Sequence, residues 1–252
     1  MRVSLEDKVI LVTGAARGIG AAIAGQAAES GAAALVLTDR DPVPGRWPCP
    51  VETVAADLAL PEGPPAVIAA ALARFGRIDG LVNAAGLTTR GSFADADVAQ
   101  WNRMFSVNAR APFFLMAGAI ADMTARGAPG AIVNIQSMNA HGGAPDLTVY
   151  AATKGALQVL TKNAAHAHLR DRIRVNGINL GWVDTESERT MHEVTLGKGE
   201  GWLAAQAAGL PLGRFVSAED AARLTVWLLS DASAPMTGVS VDLEQIVTGA
   251  LC

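Results

Sequence analysis

At 252 residues the chain is long enough for one domain with a substantial buried core. Apolar residues make up 50% and charged ones 17%, a balance suited to an α/β protein whose sheet is buried on both faces. The net charge of -4 with no basic stripe argues against a nucleic-acid partner. No apolar run reaches the ~20 residues needed to cross a bilayer, and the first eight residues lack a signal-peptide core, so a soluble, cytoplasmic protein with no membrane partner is expected.

Val9 to Val12 is a short continuous apolar run, the pattern of a buried strand. Thr13-Gly14-Ala15-Ala16-Arg17-Gly18-Ile19-Gly20 follows at once, and then Ala21 to Ala24 with helix composition. Strand, glycine-rich turn and helix together let backbone N–H groups and a helix N-terminus face a pyrophosphate. In that arrangement Gly14 permits the tight turn, Gly18 lets the backbone approach a cofactor, and Gly20 lets the helix pack close to the sheet. The spacing is G-x3-G-x-G rather than the usual G-x-G-x-x-G.

A second strand, Ala34 to Thr38, ends at Asp39-Arg40-Asp41. A carboxylate about 20 residues past a glycine turn is placed to accept hydrogen bonds from an adenosine ribose. The same charge repels a 2′-phosphate, by up to about 4 kcal/mol at ~4 Å before screening. Asp39 therefore points to NAD over NADP, although Arg17 and Arg40 could each pair with a phosphate.

Four prolines between Pro42 and Pro50 predict an irregular loop. Val51 to Ala56 reads as a third strand ending at Asp57-Leu58, and a helix follows from Pro61 to about Phe75. Ile78 to Val82 is a fourth strand ending in Asn83-Ala84-Ala85-Gly86, and a long helix from Asp97 to Thr124 carries Asn108 near its middle. A fifth strand, Ala131 to Gln136, delivers Ser137, and an Ala-rich helix from Tyr150 to Leu169 comes next. Arg174 to Asn179 is a sixth strand, ending at Leu180-Gly181-Trp182-Val183-Asp184-Thr185. Glu186 to Leu210 reads as a substrate flap, Ala218 to Leu229 as the last helix and Val239 to Asp242 as the last strand. The alternation predicts a single doubly wound α/β domain with a parallel sheet of about seven strands, whose ligands bind beyond the strands' C-terminal ends.

Tyr150 and Lys154 are four residues apart, so on a helix the phenol and the ammonium share one face. A neighbouring cation favours the phenolate, which makes the pair a proton-transfer device at neutral pH. Cys49 and Cys252, the only cysteines, form neither a disulfide framework nor a metal site. His166 and His168 point to different helix faces and make a poor metal pair, and no metal is expected.

The chain resembles the short-chain dehydrogenase/reductase family over its whole length. Thr13 to Gly20 matches that family's TGxxxGIG turn, Ser137, Tyr150 and Lys154 match its serine and YxxxK positions, and Asn108 matches its fourth catalytic position. The resemblance implies a Rossmann-type fold with Tyr150 as general acid/base and Ser137 holding the reacting oxygen. Lys154 would lower the tyrosine's pKa and bind the nicotinamide ribose, and Asn108 would hold a water. It further implies that Asp57 and Leu58 contact the adenine, that Asn83, Ala84, Ala85 and Gly86 line the middle of the cofactor, and that Val183 and Thr185 hold the carboxamide. Gly181 belongs to the same loop. Homotetramers are usual in the family, and the helices holding Phe113 to Met116 and Tyr150 to Leu169 are apolar enough to serve as interfaces.

Three departures are visible. The family's NNAG reads Asn83-Ala84-Ala85-Gly86, its Pro-Gly after the sixth strand reads Leu180-Gly181, and its Asp-Gly-Gly near the C-terminus reads Asp242-Leu243-Glu244. The last two put the loop path and the tail contacts in doubt.

The expected reaction is hydride transfer between NAD and a secondary alcohol. Asn139, His141 and Trp182, with Arg90 and Glu186 flanking the same mouth, favour a small-molecule sugar or polyol. Two alternatives are an NADPH-linked reductase of 3-oxoacyl thioesters, which would share every catalytic residue, and a non-catalytic cofactor-binding protein.

Overall fold

The computed structural model describes residues 3–142 and 144–248, so Cys252 lies outside the described residues. Seven parallel strands form the sheet: β1 (Val9–Thr13), β2 (Ala34–Asp39), β3 (Val51–Ala55), β4 (Gly80–Asn83), β5 (Gly130–Ser137), β6 (Ile173–Leu180) and β7 (Ser240–Leu243). Their order is β3-β2-β1-β4-β5-β6-β7. From β1 the chain steps outward to β3 and then crosses back to β4. The reversal leaves a crevice between the C-terminal ends of β1 and β4, where α/β sheets of this kind take their ligands.

Side-chain alternation along the strands divides the core in two. Ile10 and Val12 of β1 and Leu35 and Leu37 of β2 pack with α1 (Gly18–Glu29) and α8 (Ala218–Leu229), through Ile23, Ala27, Ala222 and Val226. Val9, Leu11 and Val36 face the other side, against α2 (Gly63–Phe75), α4 (Ala111–Ala125) and α5 (Thr148–Ala167), through Val67, Leu115, Met123 and Ala165. The start of α8 is fixed by a reciprocal cap, in which the Ser217 hydroxyl accepts from the Asp220 N–H and the Asp220 carboxylate from the Ser217 N–H. Gly76, at φ 71, closes α2 in the left-handed conformation.

The expected continuous helix from Asp97 to Thr124 is instead α3 (Val98–Phe105), a π-helical turn over Ser106–Arg110, and α4. Pro112 has no N–H for the carbonyl of Asn108 four residues earlier, and its ring would press on that carbonyl, so the helix widens there. Asn108 therefore sits in a π-helical turn, a common device at functional sites. By length and composition the stretch over 98–125 would suffice to cross a bilayer, but 56% of that apolar window is buried, largely against the sheet. The proline-rich segment 42–50 has neither helix nor strand. The flap contains α6 (Glu186–Arg189), a π-helical turn over Thr190–Thr195 and α7 (Trp202–Ala208), separated by Gly197, Gly199 and Gly201 at positive φ.

Candidate active site

The crevice opens into a cavity of about 890 Å³ running from Asp39 to the flap. Its floor is the glycine turn. The Thr13 hydroxyl accepts hydrogen bonds from the Ala84 and Ala85 N–H groups, each at 3.0 Å, and so ties the end of β1 to the end of β4. Gly14 has φ 69 and approaches so closely that a Cβ would lie 2.9 Å from the Ala85 Cα. Gly20 was expected to allow close packing of helix on sheet. Its tightest contact is instead with the turn itself, because a Cβ there would lie 2.1 Å from the Gly14 carbonyl oxygen. Arg17, the residue before α1, makes no side-chain cap. The first N–H groups of the helix are thus left for a ligand, and Gly14, Arg17, Gly18, Ile19 and Gly20 all line the cavity.

Asp39 ends β2 at one extreme of the cavity. Its Oδ2 accepts from the Ala16 N–H at 3.1 Å, and Oδ1 accepts from the N–H groups of Arg40 at 2.7 Å and Asp41 at 3.2 Å. Arg17 is paired with Asp41 at 2.8 Å, while Arg40 is exposed at the rim. Asp57 and Leu58 line the same end, with the Asp57 carboxylate accepting from the Ala59 N–H at 2.8 Å. Ala84, Ala85 and Gly86 line the middle, but Asn83 does not. Its amide points into the sheet and donates to Asn134 Oδ1 at 2.8 Å, in a buried chain continued by Asn134 to Thr161 at 2.9 Å. Asn83 thus supports the crevice from behind rather than lining it. The uncapped helix start, the bare glycine floor and the carboxylate at the end of β2 fit a dinucleotide.

Ser137 ends β5, and Tyr150 and Lys154 sit on the first two turns of α5 beside it. The Tyr150 phenol faces Ser137, whose hydroxyl accepts from the Asn139 N–H at 3.1 Å. Lys154 donates to the Ile135 carbonyl at 2.7 Å, and its ammonium lies 5.7 Å from the Tyr150 ring centre. Burial pushes the tyrosine up to about 12, with the Ser137 hydroxyl opposing and the Glu188 charge adding to the rise. Burial also brings Lys154 down from 10.5 to about 8. The expected lowering of Tyr150 by Lys154 is therefore overridden in the protein alone: desolvation of the phenolate prevails, and the ammonium is directed at a backbone carbonyl.

Asn108 clamps the crevice to α5. Its amide nitrogen donates to the Leu87 carbonyl at 2.9 Å and to Thr153 Oγ1 at 3.0 Å, and its Oδ1 accepts from the Leu87 N–H at 2.8 Å. Both amide hydrogens are used, so on this side chain the water expected at Asn108 has only the remaining Oδ1 lone pair to bind.

A family model described as enoyl-(acyl carrier protein) reductase matches residues 14–244. Two curated relatives cover nearly the whole chain. The 2-(S)-hydroxypropyl-CoM dehydrogenase 3 of Xanthobacter autotrophicus is 34% identical over 95% of this chain and 96% of its own. The L-xylulose reductase of Bos taurus is 35% identical over 97% of this chain and 98% of its own. Among solved structures, the L-sorbose reductase of Gluconobacter frateurii, complexed with NADPH and L-sorbose, superimposes with a TM-score of 0.91 at 30% identity, covering 100% of both chains. The chain belongs to the short-chain dehydrogenase/reductase family of oxidoreductases.

In this short-chain dehydrogenase/reductase the far end of the cavity is lined by Met138, Asn139, Leu147, Trp182, Met191 and the charged groups Arg90, Glu188 and Lys198. Gly181, Val183 and Thr185 line the approach to it. His141, expected at the mouth, is not among the lining residues: its Nε2 faces Asp242 Oδ1 of β7 at 3.3 Å and the Asn179 amide of β6 at 3.3 Å. Glu186 is also outside and exposed; Glu188, two residues on, is the carboxylate that lines the cavity. Trp182 belongs to an aromatic cluster with His192, Trp202 and Phe215, at centroid distances of 5.1, 5.0 and 5.2 Å, and His192 stacks on Trp202 at 4.0 Å.

Leu180 remains within β6, paired with Leu243 of β7, so the residue in place of proline extends the strand. Glu244 then lies over Gly181, where a Cβ would come within 1.8 Å of its Oε2, and both line the cavity. Thr13, Glu188 and His192 were not singled out from the sequence. For Glu188 and His192 a signal exists in their spacing of four, which puts an acid and a base on one helical face. Glu244 was marked only as the residue in place of the family's second glycine, and its contact with Gly181, distant in the chain, was not foreseen.

Proposed function

We propose that the protein transfers a hydride between NAD and a secondary alcohol, with a sugar or polyol favoured and Tyr150 as general acid/base. The observation that carries this reading is the convergence of Ser137, Tyr150 and Lys154 on one cavity with the glycine turn and the Asp39 carboxylate. Gly14 to Gly20, Asp39, Asp57, Leu58, Ala84 to Gly86, Lys154, Gly181, Val183 and Thr185 would hold the dinucleotide. When bound, the nicotinamide supplies the hydride chemistry.

The chain's own residues supply orientation and the proton. Ser137 holds the reacting oxygen beside the Tyr150 hydroxyl. With its pKa near 12 the phenol is protonated at neutral pH, the form that gives a proton to a carbonyl oxygen in reduction. In oxidation the same oxygen takes the alcohol's proton. Lys154, near 8 and so mostly cationic at pH 7, is the group one turn away that stabilises the phenolate then formed.

Support for NAD comes from Asp39, whose carboxylate, already held by three N–H groups, keeps one Oδ2 lone pair for a ribose hydroxyl and repels a 2′-phosphate. The sugar or polyol reading is supported by the polar groups of the mouth and by the substrates named for the L-xylulose and L-sorbose reductases. A second reading, NADPH-linked reduction of 3-oxoacyl thioesters, is favoured by the likeness to the 3-oxoacyl (acyl-carrier-protein) reductase of Agrobacterium tumefaciens, solved with NADP bound. Binding of NAD and NADP to the purified protein, followed by reduced-nicotinamide absorbance with polyols, simple secondary alcohols and a 3-oxoacyl thioester, separates the two. NAD binding with polyol oxidation is expected; preferential NADP binding with thioester reduction would replace the first reading by the second. We also propose a homotetramer, supported by Phe113 and Phe114, which are 47% and 49% exposed on α4. A stable monomer in sedimentation would contradict it.

A further inference from the structure

Glu188 is held at one oxygen only. Its Oε2 accepts from Trp182 Nε1 at 3.1 Å and faces His192 Nε2 at 3.4 Å, and Oε1 has no hydrogen-bond partner among the described residues. The carboxylate lines the cavity that holds Ser137 and Tyr150. Its anchors are themselves fixed: His192 is 3% exposed and stacked on Trp202, and Trp182 is wedged between His192, Trp202 and Phe215. A carboxylate oriented in this way on a rigid aromatic base, with one oxygen uncommitted, is built to accept a hydrogen bond from whatever fills the cavity.

We propose that Glu188 is a specificity-determining residue whose Oε1 accepts a hydrogen bond from a second hydroxyl of the substrate, close to the carbinol that reacts at Tyr150. The assignment rests on the polyol reading above and narrows it to substrates with a neighbouring hydroxyl donor. A 3-oxoacyl group has no such donor, and the uncommitted carboxylate would lose water without compensation on binding it. An ammonium substrate is disfavoured because Arg90 and Lys198 line the same mouth.

The carboxylate's charge also bears on Tyr150, whose phenolate it opposes. The other titratable and charged groups around this pair are Lys154 from α5, Arg90 from the loop after β4, Arg103 from α3, Glu244 after β7, Lys198 from the flap, and His192, which burial favours in its neutral form. Removing the Glu188 charge therefore favours the phenolate, and the acid limb of the oxidation profile moves to lower pH.

The test is Glu188→Gln, which keeps the side chain's size and an acceptor for Trp182, assayed with NAD on a polyol and on cyclohexanol. The ratio of kcat/KM for the polyol to that for cyclohexanol is expected to fall about tenfold or more, as a charge-assisted hydrogen bond becomes a neutral one. The acid limb of cyclohexanol oxidation is expected to shift downward in the same variant. A wild type that favours the polyol, combined with an unchanged ratio in Glu188→Gln, overturns the Glu188 assignment and leaves the polyol reading standing. A wild type that does not favour the polyol overturns both.

Discussion

Replacing Lys154 with methionine should make the protein more stable while removing its activity. Lys154 is 4% exposed, and the hydrogen bond to the Ile135 carbonyl at 2.7 Å is the one its ammonium makes among the described residues. The fall of its pKa from 10.5 to about 8 corresponds to about 3 kcal/mol, at about 1.4 kcal/mol per pH unit, for carrying the charge at neutral pH. Methionine keeps an unbranched stem of similar shape and forfeits a hydrogen bond of about 1 kcal/mol. The net gain is about 1–2 kcal/mol, and for a chain of this size each kcal/mol moves the melting temperature by roughly 2–4 °C.

The sign can be checked through pH. Because the folded pKa lies below the unfolded one, the unfolded wild type holds more protons between about pH 8 and 10.5. Wild-type stability therefore gains from Lys154 as pH rises through that window, and the advantage of Lys154→Met closes. Tyr150 acts in the opposite sense, since its rise from 10 to about 12 makes stability fall as pH climbs between those values. That contribution is common to both proteins and drops out of the difference. Thermal unfolding of both proteins without cofactor, at pH 7 and pH 10, measures the effect. A variant less stable than wild type at pH 7, or a gap that is the same at both pH values, would refute the reasoning.

Tyr150→Phe deletes one hydroxyl from a buried position and should lower turnover by at least about 100-fold with a melting temperature within a few degrees of wild type; near wild-type rates would remove the tyrosine from the mechanism. Asp39→Ser should raise the affinity for NADP relative to NAD by at least about tenfold, by removing the charge that repels a 2′-phosphate. It should also lower stability, because the Ala16, Arg40 and Asp41 N–H groups lose a carboxylate acceptor; an unchanged cofactor ratio in binding titrations would count against the assignment. Gly181→Ala meets only the end of the Glu244 side chain, which can swing aside, so it should change cofactor binding by less than about twofold; a loss of about tenfold or more in binding titrations would mean that Glu244 cannot move.

Much of the fold was legible because its signals are local. Continuous apolar runs marked β1 and β2, the boundaries of α8 from Ala218 to Leu229 were read as they stand, and the parallel sheet followed from the alternation of strand and helix. Ser137, Tyr150, Lys154 and the glycine turn were readable for the same reason: each belongs to a motif whose spacing carries its chemistry. The interruption at Asn108 was missed although Pro112 stood in the sequence, because a proline in a long apolar helix can end, kink or widen it, and only packing selects among these.

The sequence by itself determined the order of the elements, the chemistry brought to the strand ends and the carboxylate at the end of β2. Only the tertiary structure decided which polar side chains face the cavity. Asn83 and His141 turned away to Asn134 and Asp242, while Glu188 rather than Glu186 turned in. The reason is that one residue of register on a short helix, or one hydrogen bond to a distant strand, settles a side chain's direction. Such partners, like Asn83 and Asn134, lie far apart in the chain and leave no mark in its local pattern. The same holds for the protonation of Tyr150. Spacing brought a lysine to the tyrosine, but the depth of burial of both groups, a property of the whole packed molecule, sets where they titrate.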